Sequence, residues 1–233
     1  MKPSEDFTFP KRGFISKNRS LLAAMTNKQS HEDGTLSDEE ITWLTRRAKD
    51  GFGIVTTAAS HVSELGKGWI GEMGVWSDDH LEGLTKLASS LKQHGSLNLV
   101  QIFHGGMKAP FEINNVIPVC PSKMMNESTG KLLARDLKTD EIHQLIEDFS
   151  DAAKRCEDAG FDGIEVHGAH SYLISQFLGL KTNRRKDEFG GSIENRFRFL
   201  REIILSIRKK TSDGFLVAVR ISPKISTIGI SLE

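Results

Sequence analysis

The chain has 233 residues, of which 38% are hydrophobic and 27% are charged, values typical of a globular domain with one sizeable core. Lys plus Arg number 31 and Asp plus Glu also number 31, so no net charge attracts nucleic acid or an anionic membrane surface. We therefore expect neither nucleic acid nor a membrane as a partner, and one domain over residues 1–233 without a second.

The cysteines and the N-terminus indicate a cellular compartment. Cys120 and Cys156 lie far apart without CxxC spacing, which argues against a disulfide framework or a thiolate metal site. No apolar signal-peptide core follows Met1, and no run of about 18 apolar residues occurs that could span a membrane. The sequence predicts two free thiols in a reducing compartment and a soluble, cytoplasmic protein.

Short apolar, β-branched runs alternate along the chain with longer segments of helical period. This alternation is typical of strand-helix units around a parallel sheet, so the predicted fold class is α/β. Each predicted strand except the last is followed by a predicted helix. The five predicted strands are residues 21–26, 53–57, 97–103, 163–167 and 216–222.

Two helices are predicted in the first half of the chain from their start signals. Ser37 and Glu40 form a capping box, in which the hydroxyl and the carboxylate each satisfy a free backbone N–H group, and this helix is predicted to reach about Asp50. Ser77 can cap the next helix. The apolar stripe of that helix consists of Leu81, Leu84, Leu87 and Leu91.

Two further helices are predicted in the second half. Thr139 precedes a long amphipathic segment, which Gly160 can end in a left-handed conformation. Before it, residues 108–138 contain three prolines and predict one long excursion over the surface. Ser192 begins the fourth helix, whose side chains predicted to face inward are Phe197, Leu200, Ile203, Ile204 and Ile207.

A parallel sheet of this kind is either an open doubly wound sheet or a closed eight-stranded barrel. No GxGxxG fingerprint follows the first predicted strand, which disfavours a Rossmann dinucleotide site. The sequence therefore favours a TIM (β/α)8 barrel, of which this chain supplies about the first five strands, so the barrel is expected to be incomplete. Its exposed edge strands predict association through sheet edges or a homo-oligomer.

Polar residues stand at or near the ends of four predicted strands: Thr26, Gln101, His167 and Arg220. In a barrel these ends converge on the carboxyl-terminal face, where such enzymes have their active sites. A single Thr or Gln at a strand end usually satisfies a loop backbone. Arg220 is harder to explain in this way, because a guanidinium among valine and isoleucine side chains needs an anionic or electron-rich partner.

His167, His170 and Tyr172 stand in one short segment after the fourth predicted strand. Two imidazoles without a third ligand form a poor zinc site, so no metal is predicted. The pair can instead hold a carbonyl or phenolate oxygen while Tyr172 donates a proton. Two alternatives stay open: a metal-dependent barrel lyase or hydrolase that uses both histidines, and histidines that only satisfy backbone groups beside a core tyrosine.

Four segments carry a family likeness: residues 24–26 (AMT), 101–106 (QIFHGG), 160–167 (GFDGIEVH) and 183–196 (NRRKDEFGGSIENR). The last is the most specific of the four. Together with Asn18-Arg19 and residues 76–78 (WSD), they extend over nearly the whole chain. The chain resembles the Old Yellow Enzyme family, whose members are FMN-dependent ene reductases, and residues 183–196 resemble the signature of that family.

The resemblance implies FMN as cofactor, NADH or NADPH as electron donor, and a small-molecule enone-type substrate whose activated C=C bond is reduced. It implies that His167 and His170 bind the carbonyl oxygen of the substrate and that Tyr172 protonates the α-carbon. It also implies the cofactor-binding residues, which are Ala24, Met25 and Thr26 beside the flavin, Ala58 where the ring approaches the backbone, Gln101 at the pyrimidine edge, and Arg220 beside the N1–C2=O locus.

Two departures from the family pattern bear on these expectations. Many relatives have a basic residue where Met107 stands, and whether Lys108 compensates stays open. Residues 229–233 look like the start of a fifth helix, after which a complete barrel needs three more strands. Barrels commonly bind phosphate after the seventh and eighth strands, so the FMN phosphate site is expected to be absent. The alternative function is therefore a truncated, non-catalytic remnant that retains no FMN or serves as an interaction module.

Overall fold

The structure is a computed structural model that describes residues 2–10 and 13–222. The predicted fifth helix at residues 229–233 lies outside this part. The strands are β1 (Phe7–Thr8), β2 (Ile15–Ser16), β3 (Leu21–Leu22), β4 (Ile54–His61), β5 (Met73–Gly74), β6 (Leu97–Phe103), β7 (Val119–Cys120), β8 (Met124–Met125), β9 (Leu132–Asp136), β10 (Gly163–Gly168) and β11 (Leu216–Ile221). The helices are α1 (Asp38–Lys49), α2 (Leu81–Lys92), α3 (Phe111–Asn114), α4 (Thr139–Asp158), α5 (Leu173–Leu178) and α6 (Ile193–Lys210).

A curved parallel sheet forms the centre of the molecule. Its main strands stand in the order β11-β10-β6-β4-β3, with β5 added beside β4. Each strand thus lies next to its predecessor in the chain, whereas a doubly wound sheet changes direction at a switch point. Helices α1, α2, α4 and α6 connect successive strands. The prediction of an α/β chain that supplies five strands of a barrel is confirmed.

The predicted caps at Ser37 and Ser192 are confirmed, whereas Ser77 caps the 3-10 turn Asp78–His80 in front of α2 rather than α2 itself. The hydroxyl of Ser37 accepts a hydrogen bond from the N–H of Glu40 at 3.1 Å, and that of Ser192 caps α6 in the same way. The second half of the predicted capping box is wrong. The carboxylate of Glu40 is buried and accepts instead from Asn27, at 2.8 Å, and from the hydroxyl of Ser30.

Two strand boundaries differ from those predicted. β3 ends at Leu22, so residues 23–26 leave the sheet as a loop. β4 continues to His61, because its last two residues pair with β5 on one side and with the end of β6 on the other. Ala58 consequently lies inside β4, at an irregularity between Thr56 and Ala59, rather than beyond the strand end.

Residues 108–138 are more ordered than the predicted surface excursion. They contain α3 and a three-stranded sheet in the order β7-β9-β8, in which Ala134 is fully buried.

On α6, the prediction that Phe197 faces inward is wrong, since 39% of it is exposed. Phe199 takes the core position and stacks on Phe177 with ring centroids 4.2 Å apart. Of the helices described, none is both long and apolar enough to cross a membrane.

Gly163 allows β10 and β11 to approach each other closely. A Cβ atom there would lie 2.4 Å from the carbonyl oxygen of Leu216 and 2.5 Å from its Cβ. We predict that Gly163→Ala lowers the free energy of unfolding by about 1–3 kcal/mol, because overpacking forces the backbone to move. Gly214→Ala is the control, since its nearest neighbouring atom would be 3.9 Å away. Coincident urea unfolding curves for the two variants would contradict this prediction.

Candidate active site at the carboxyl end of the sheet

Predicted polar residues from three neighbouring strands lie near one another at the carboxyl end of the sheet. The strand register pairs Gln101 with Glu165 and His167 with Arg220. Glu165 and His167 are two residues apart on β10 and therefore share a face of the sheet. The amide nitrogen of Gln101 donates to the Glu165 carboxylate at 2.5 Å. The structure thus brings Gln101, His167 and Arg220 together at the carboxyl end of the sheet.

His167 and His170 lie against each other, with Nε2 of His167 3.3 Å from Nδ1 of His170. The chain turns at the second histidine through two left-handed residues, His170 with φ of 55° and Ser171 with φ of 64°. Residues with side chains rarely adopt this conformation, and such strain concentrates at functional sites. The turn keeps both imidazoles in one pocket before α5 begins at Leu173.

Burial keeps both imidazoles uncharged at neutral pH. It lowers the pKa of His167 to about 3, with smaller contributions from His170 and Arg220, and it also lowers the pKa of His170. Nδ1 of His167 accepts a hydrogen bond from the N–H of Ala169 at 3.2 Å. The proton of the neutral His167 ring therefore lies on Nε2, on the side that faces His170. The pocket offers neutral N–H donors rather than charged imidazolium groups.

Tyr172 completes this group of rings. Its phenol ring makes edge contacts with His167, at a centroid distance of 5.1 Å, and with Phe103, at 4.9 Å. Burial raises the pKa of Tyr172, and the carboxylate of Glu72 adds to this effect. The phenol therefore keeps its proton at neutral pH and can act as a proton donor.

Lys108 reaches the same site, which bears on the question left open at Met107. Its Nζ donates to the carbonyl oxygen of His170 at 2.9 Å and lies 5.3 Å from the centroid of the Tyr172 ring. The backbone N–H of Met107 donates to the side chain of Gln176 at 3.1 Å, which holds the turn that carries Lys108. A positive charge thus stands beside the phenol although Met107 itself is uncharged.

The residues proposed to border a flavin also lie at this end of the sheet. Arg220 donates from Nη1 to the carbonyl oxygen of Ala24 at 3.2 Å, which links the chain after β3 to β11. Its other N–H groups make no hydrogen bond within the described part of the chain. Met25 is 49% exposed and Thr26 is exposed beside it, whereas Ala58 is buried. Small side chains, a buried amide and a guanidinium with unused donors fit a flavin ring.

Three further residues belong to the site although the sequence does not predict them there: Phe103, Trp69 and Glu72. Phe103 is fully buried between the rings of Trp69 and Tyr172. No sequence signal marks Trp69 or Glu72, because they lie in the loop between β4 and β5, whose path depends on tertiary packing.

Within residues 2–10 and 13–222, no group of three or more His, Cys, Asp or Glu side chains could hold a metal ion.

The chain is similar to flavin oxidoreductases in sequence. Residues 13–229 match the model of the NADH:flavin oxidoreductase / NADH oxidase family. A probable NADH-dependent flavin oxidoreductase of Bacillus subtilis is 40% identical over 228 residues, covering 94% of this chain and 59% of that protein. An NADPH dehydrogenase of Clostridium acetobutylicum is 36% identical over 95% of this chain and 64% of that protein. The chain thus spans about three fifths of the length of these two relatives.

Solved structures show the same fold. An Old Yellow Enzyme homologue from Zymomonas mobilis has a TM-score of 0.85 and 30% identity, covering 96% of this chain and 64% of that chain. Morphinone reductase in complex with tetrahydroNAD has a TM-score of 0.88 and 26% identity, covering 99% of this chain and 66% of that chain. A 2-naphthoyl-CoA reductase has a TM-score of 0.88 and 33% identity, covering 94% of this chain and 35% of that chain.

His104 lies at the end of β6 and makes the stability of this region dependent on pH. Its Nδ1 accepts from the N–H of Gly106 at 2.9 Å, and burial lowers the pKa of His104 from 6.5 to about 4. Below about pH 6.5 the unfolded chain therefore binds more protons than the folded chain, and stability falls as the pH falls.

We predict that His104→Asn, which keeps an acceptor for Gly106, reduces the loss of unfolding free energy between pH 7 and pH 5 by about 2 kcal/mol. The measurement is urea unfolding at both pH values for each chain. His31→Asn, at an exposed histidine, serves as the control and is expected to retain the full loss. An equal loss in the parent chain and in His104→Asn would show that His104 does not cause the effect.

Proposed function

Because the chain belongs to the NADH:flavin oxidoreductase / NADH oxidase family, we propose that it forms part of an FMN-dependent ene reductase. In this proposal, NADH or NADPH supplies the electrons, and the activated C=C bond of an α,β-unsaturated carbonyl compound is reduced. The family confirms the resemblance to Old Yellow Enzyme and the cofactors, FMN and a nicotinamide donor. The observation that carries the proposal is the contact between the neutral His167 and His170 rings beside Tyr172.

The two imidazoles are proposed to bind the carbonyl oxygen of the substrate. Both rings are uncharged, so each carries one N–H group, and donation by His167 to the substrate oxygen would replace the 3.3 Å contact of its Nε2 with Nδ1 of His170. Such donors accelerate the reaction only when they bind the developing enolate oxygen more strongly than the ketone oxygen. Arg220 and Lys108 add positive potential near this oxygen, because both lower the pKa of His170 through their charges.

Tyr172 is proposed to donate the proton that the α-carbon receives. When bound, FMN supplies the hydride chemistry at the β-carbon. The protein contributes a phenol that keeps its proton and whose position is fixed by contacts with His167 and Phe103. After the transfer, the phenol must regain a proton from solvent, and the partial exposure of Tyr172 is compatible with this step.

The flavin ring is proposed to lie across the ends of β3, β4, β6 and β11. Arg220 would stand beside the N1–C2=O locus and favour the negative charge that reduction places there. Gln101 would bind the pyrimidine edge, oriented by its hydrogen bond to Glu165. Residues 24–26 would border the ring, with Thr26 directed at O4, and Ala58 would leave room for it beside β4.

We predict that the chain mixed with FMN quenches flavin fluorescence, that NADH or NADPH bleaches the bound flavin, and that 2-cyclohexen-1-one restores its colour. His167→Ala should retain FMN and lower turnover about a hundredfold or more, because one oxygen-binding donor is lost. Arg220→Ala should bind FMN more weakly and lower its reduction potential. Glu194→Ala, at an exposed residue of α6, is the matched control and should change neither property.

The alternative functions predict different results in the same experiment. A non-catalytic remnant of the family retains no FMN at any concentration tested, and such a result would reject the ene reductase proposal for this chain. Unchanged turnover in His167→Ala would reject only the assigned role of the histidine. β3 and β11 end the sheet of the described residues and could pair with further strands, so the molecular mass in solution should be measured alongside.

A further inference from the structure

A row of aromatic rings connects the loop of residues 67–72 to Tyr172. The indole of Trp69 stacks on Phe103 with centroids 5.5 Å apart and an angle of 28° between the planes. Phe103 is fully buried, makes an edge contact with Tyr172 at 4.9 Å and lies 6.2 Å from His167. Phe103 therefore contacts the phenol ring of Tyr172 directly, and the position of Phe103 depends in turn on Trp69.

Glu72 ties down the loop that carries Trp69. Its Oε2 accepts from the backbone N–H of Gly68 at 2.6 Å and from that of Trp69 at 3.2 Å. The packing here is tight, since a Cβ on Gly68 would lie 3.2 Å from Oε2 of Glu72 and 3.4 Å from Cζ of Phe103. Because the backbone of Trp69 is held directly, Glu72 determines where the indole meets Phe103.

The other oxygen of Glu72 lies beside the sheet. Oε1 lies 3.3 Å from Nδ1 of His61, and both side chains are almost completely buried. Burial raises the pKa of Glu72 well above its ordinary value and lowers the pKa of His61 to about 3. His61 is paired in the strand register with Phe103. Glu72 thus lies beside the same strand ends that carry the aromatic row.

We propose that Glu72 is a positioning residue for Tyr172: it holds residues 67–72 so that Trp69 stacks on Phe103, and Phe103 in turn holds the phenol beside His167. The functional consequence rests on the proposed role of Tyr172 as the proton donor. A displacement of about 1 Å in a reacting group can cost a hundredfold in rate, so support for the ring matters as much as its identity.

Tyr172 can be observed alone, because it is the one tyrosine among the 233 residues. A chain labelled with 3-fluorotyrosine gives one 19F resonance, and an absorbance titration of the phenol reports on Tyr172 only. Both measurements are made without FMN, NADH or substrate. They therefore test the positioning of Tyr172 separately from the proposed function, which fails or succeeds on flavin binding and turnover.

We predict that Glu72→Ala moves the 19F resonance toward that of the urea-unfolded chain and lowers the pKa of Tyr172 toward 10, since burial and the nearby carboxylate both raise it. Trp69→Ala should reproduce the change in the resonance, and the double variant should add little, because both substitutions break the same connection. Glu72→Gln keeps a carbonyl oxygen for the N–H groups of Gly68 and Trp69, and it should restore the resonance.

The glutamate substitution and the tryptophan substitution each have a matched control. Glu64→Ala removes an exposed glutamate from the same connection between β4 and β5, and Trp43→Ala removes a half-buried indole from α1. Neither should move the resonance. If folded Trp69→Ala gives the same resonance as Trp43→Ala, the proposal is overturned. Trp69 is half-buried, so its variant remains decisive even if Glu72→Ala fails to fold, and circular dichroism monitors the folding of each variant.

Discussion

The parallel pairing of β10 with β6 and β11 is the constraint on which the rest of the site depends. Side chains alternate between the two faces of a strand, so a slip of one residue would turn His167 from the inner face to the helix layer. The register is secured at the start of β10, where Gly163 lies against Leu216 with no room for a side chain. The same register sets Gln101 beside Glu165 and Arg220 beside His167.

Desolvation then determines the chemistry available at the strand ends. Burial leaves His167 and His170 as neutral donors and keeps the proton on Tyr172, while Arg220 and Lys108 supply the positive charge. A site with these properties binds an oxygen atom that becomes negative during a reaction more strongly than a neutral one.

The sequence predicted those features that follow from short-range periodicity. The five central strands, the caps at Ser37 and Ser192, and the contact of His167 with His170 depend on residues close together in the chain. The capping box failed at Glu40 because the carboxylate finds Asn27 and Ser30, partners brought close by the loop after β3. Trp69 was missed for the same reason, since its partner on β6, Phe103, is distant in sequence. Glu72 was missed because the path of the loop that brings it beside His61 depends on tertiary packing.

Two loops at the carboxyl end of the sheet are held by the same device, a buried carboxyl group that accepts hydrogen bonds from residues of the loop. Glu40 binds Asn27 and Ser30 and so fixes the end of the segment that is proposed to border the flavin. Glu72 binds Gly68 and Trp69 and so fixes the wall behind Tyr172. Burial raises the pKa of both groups, a cost that is tolerated because an unsatisfied backbone N–H or side-chain donor would be buried in their absence. The side proposed to hold the cofactor and the side proposed to donate the proton are therefore each organised before any ligand binds, which reduces the ordering that binding must impose.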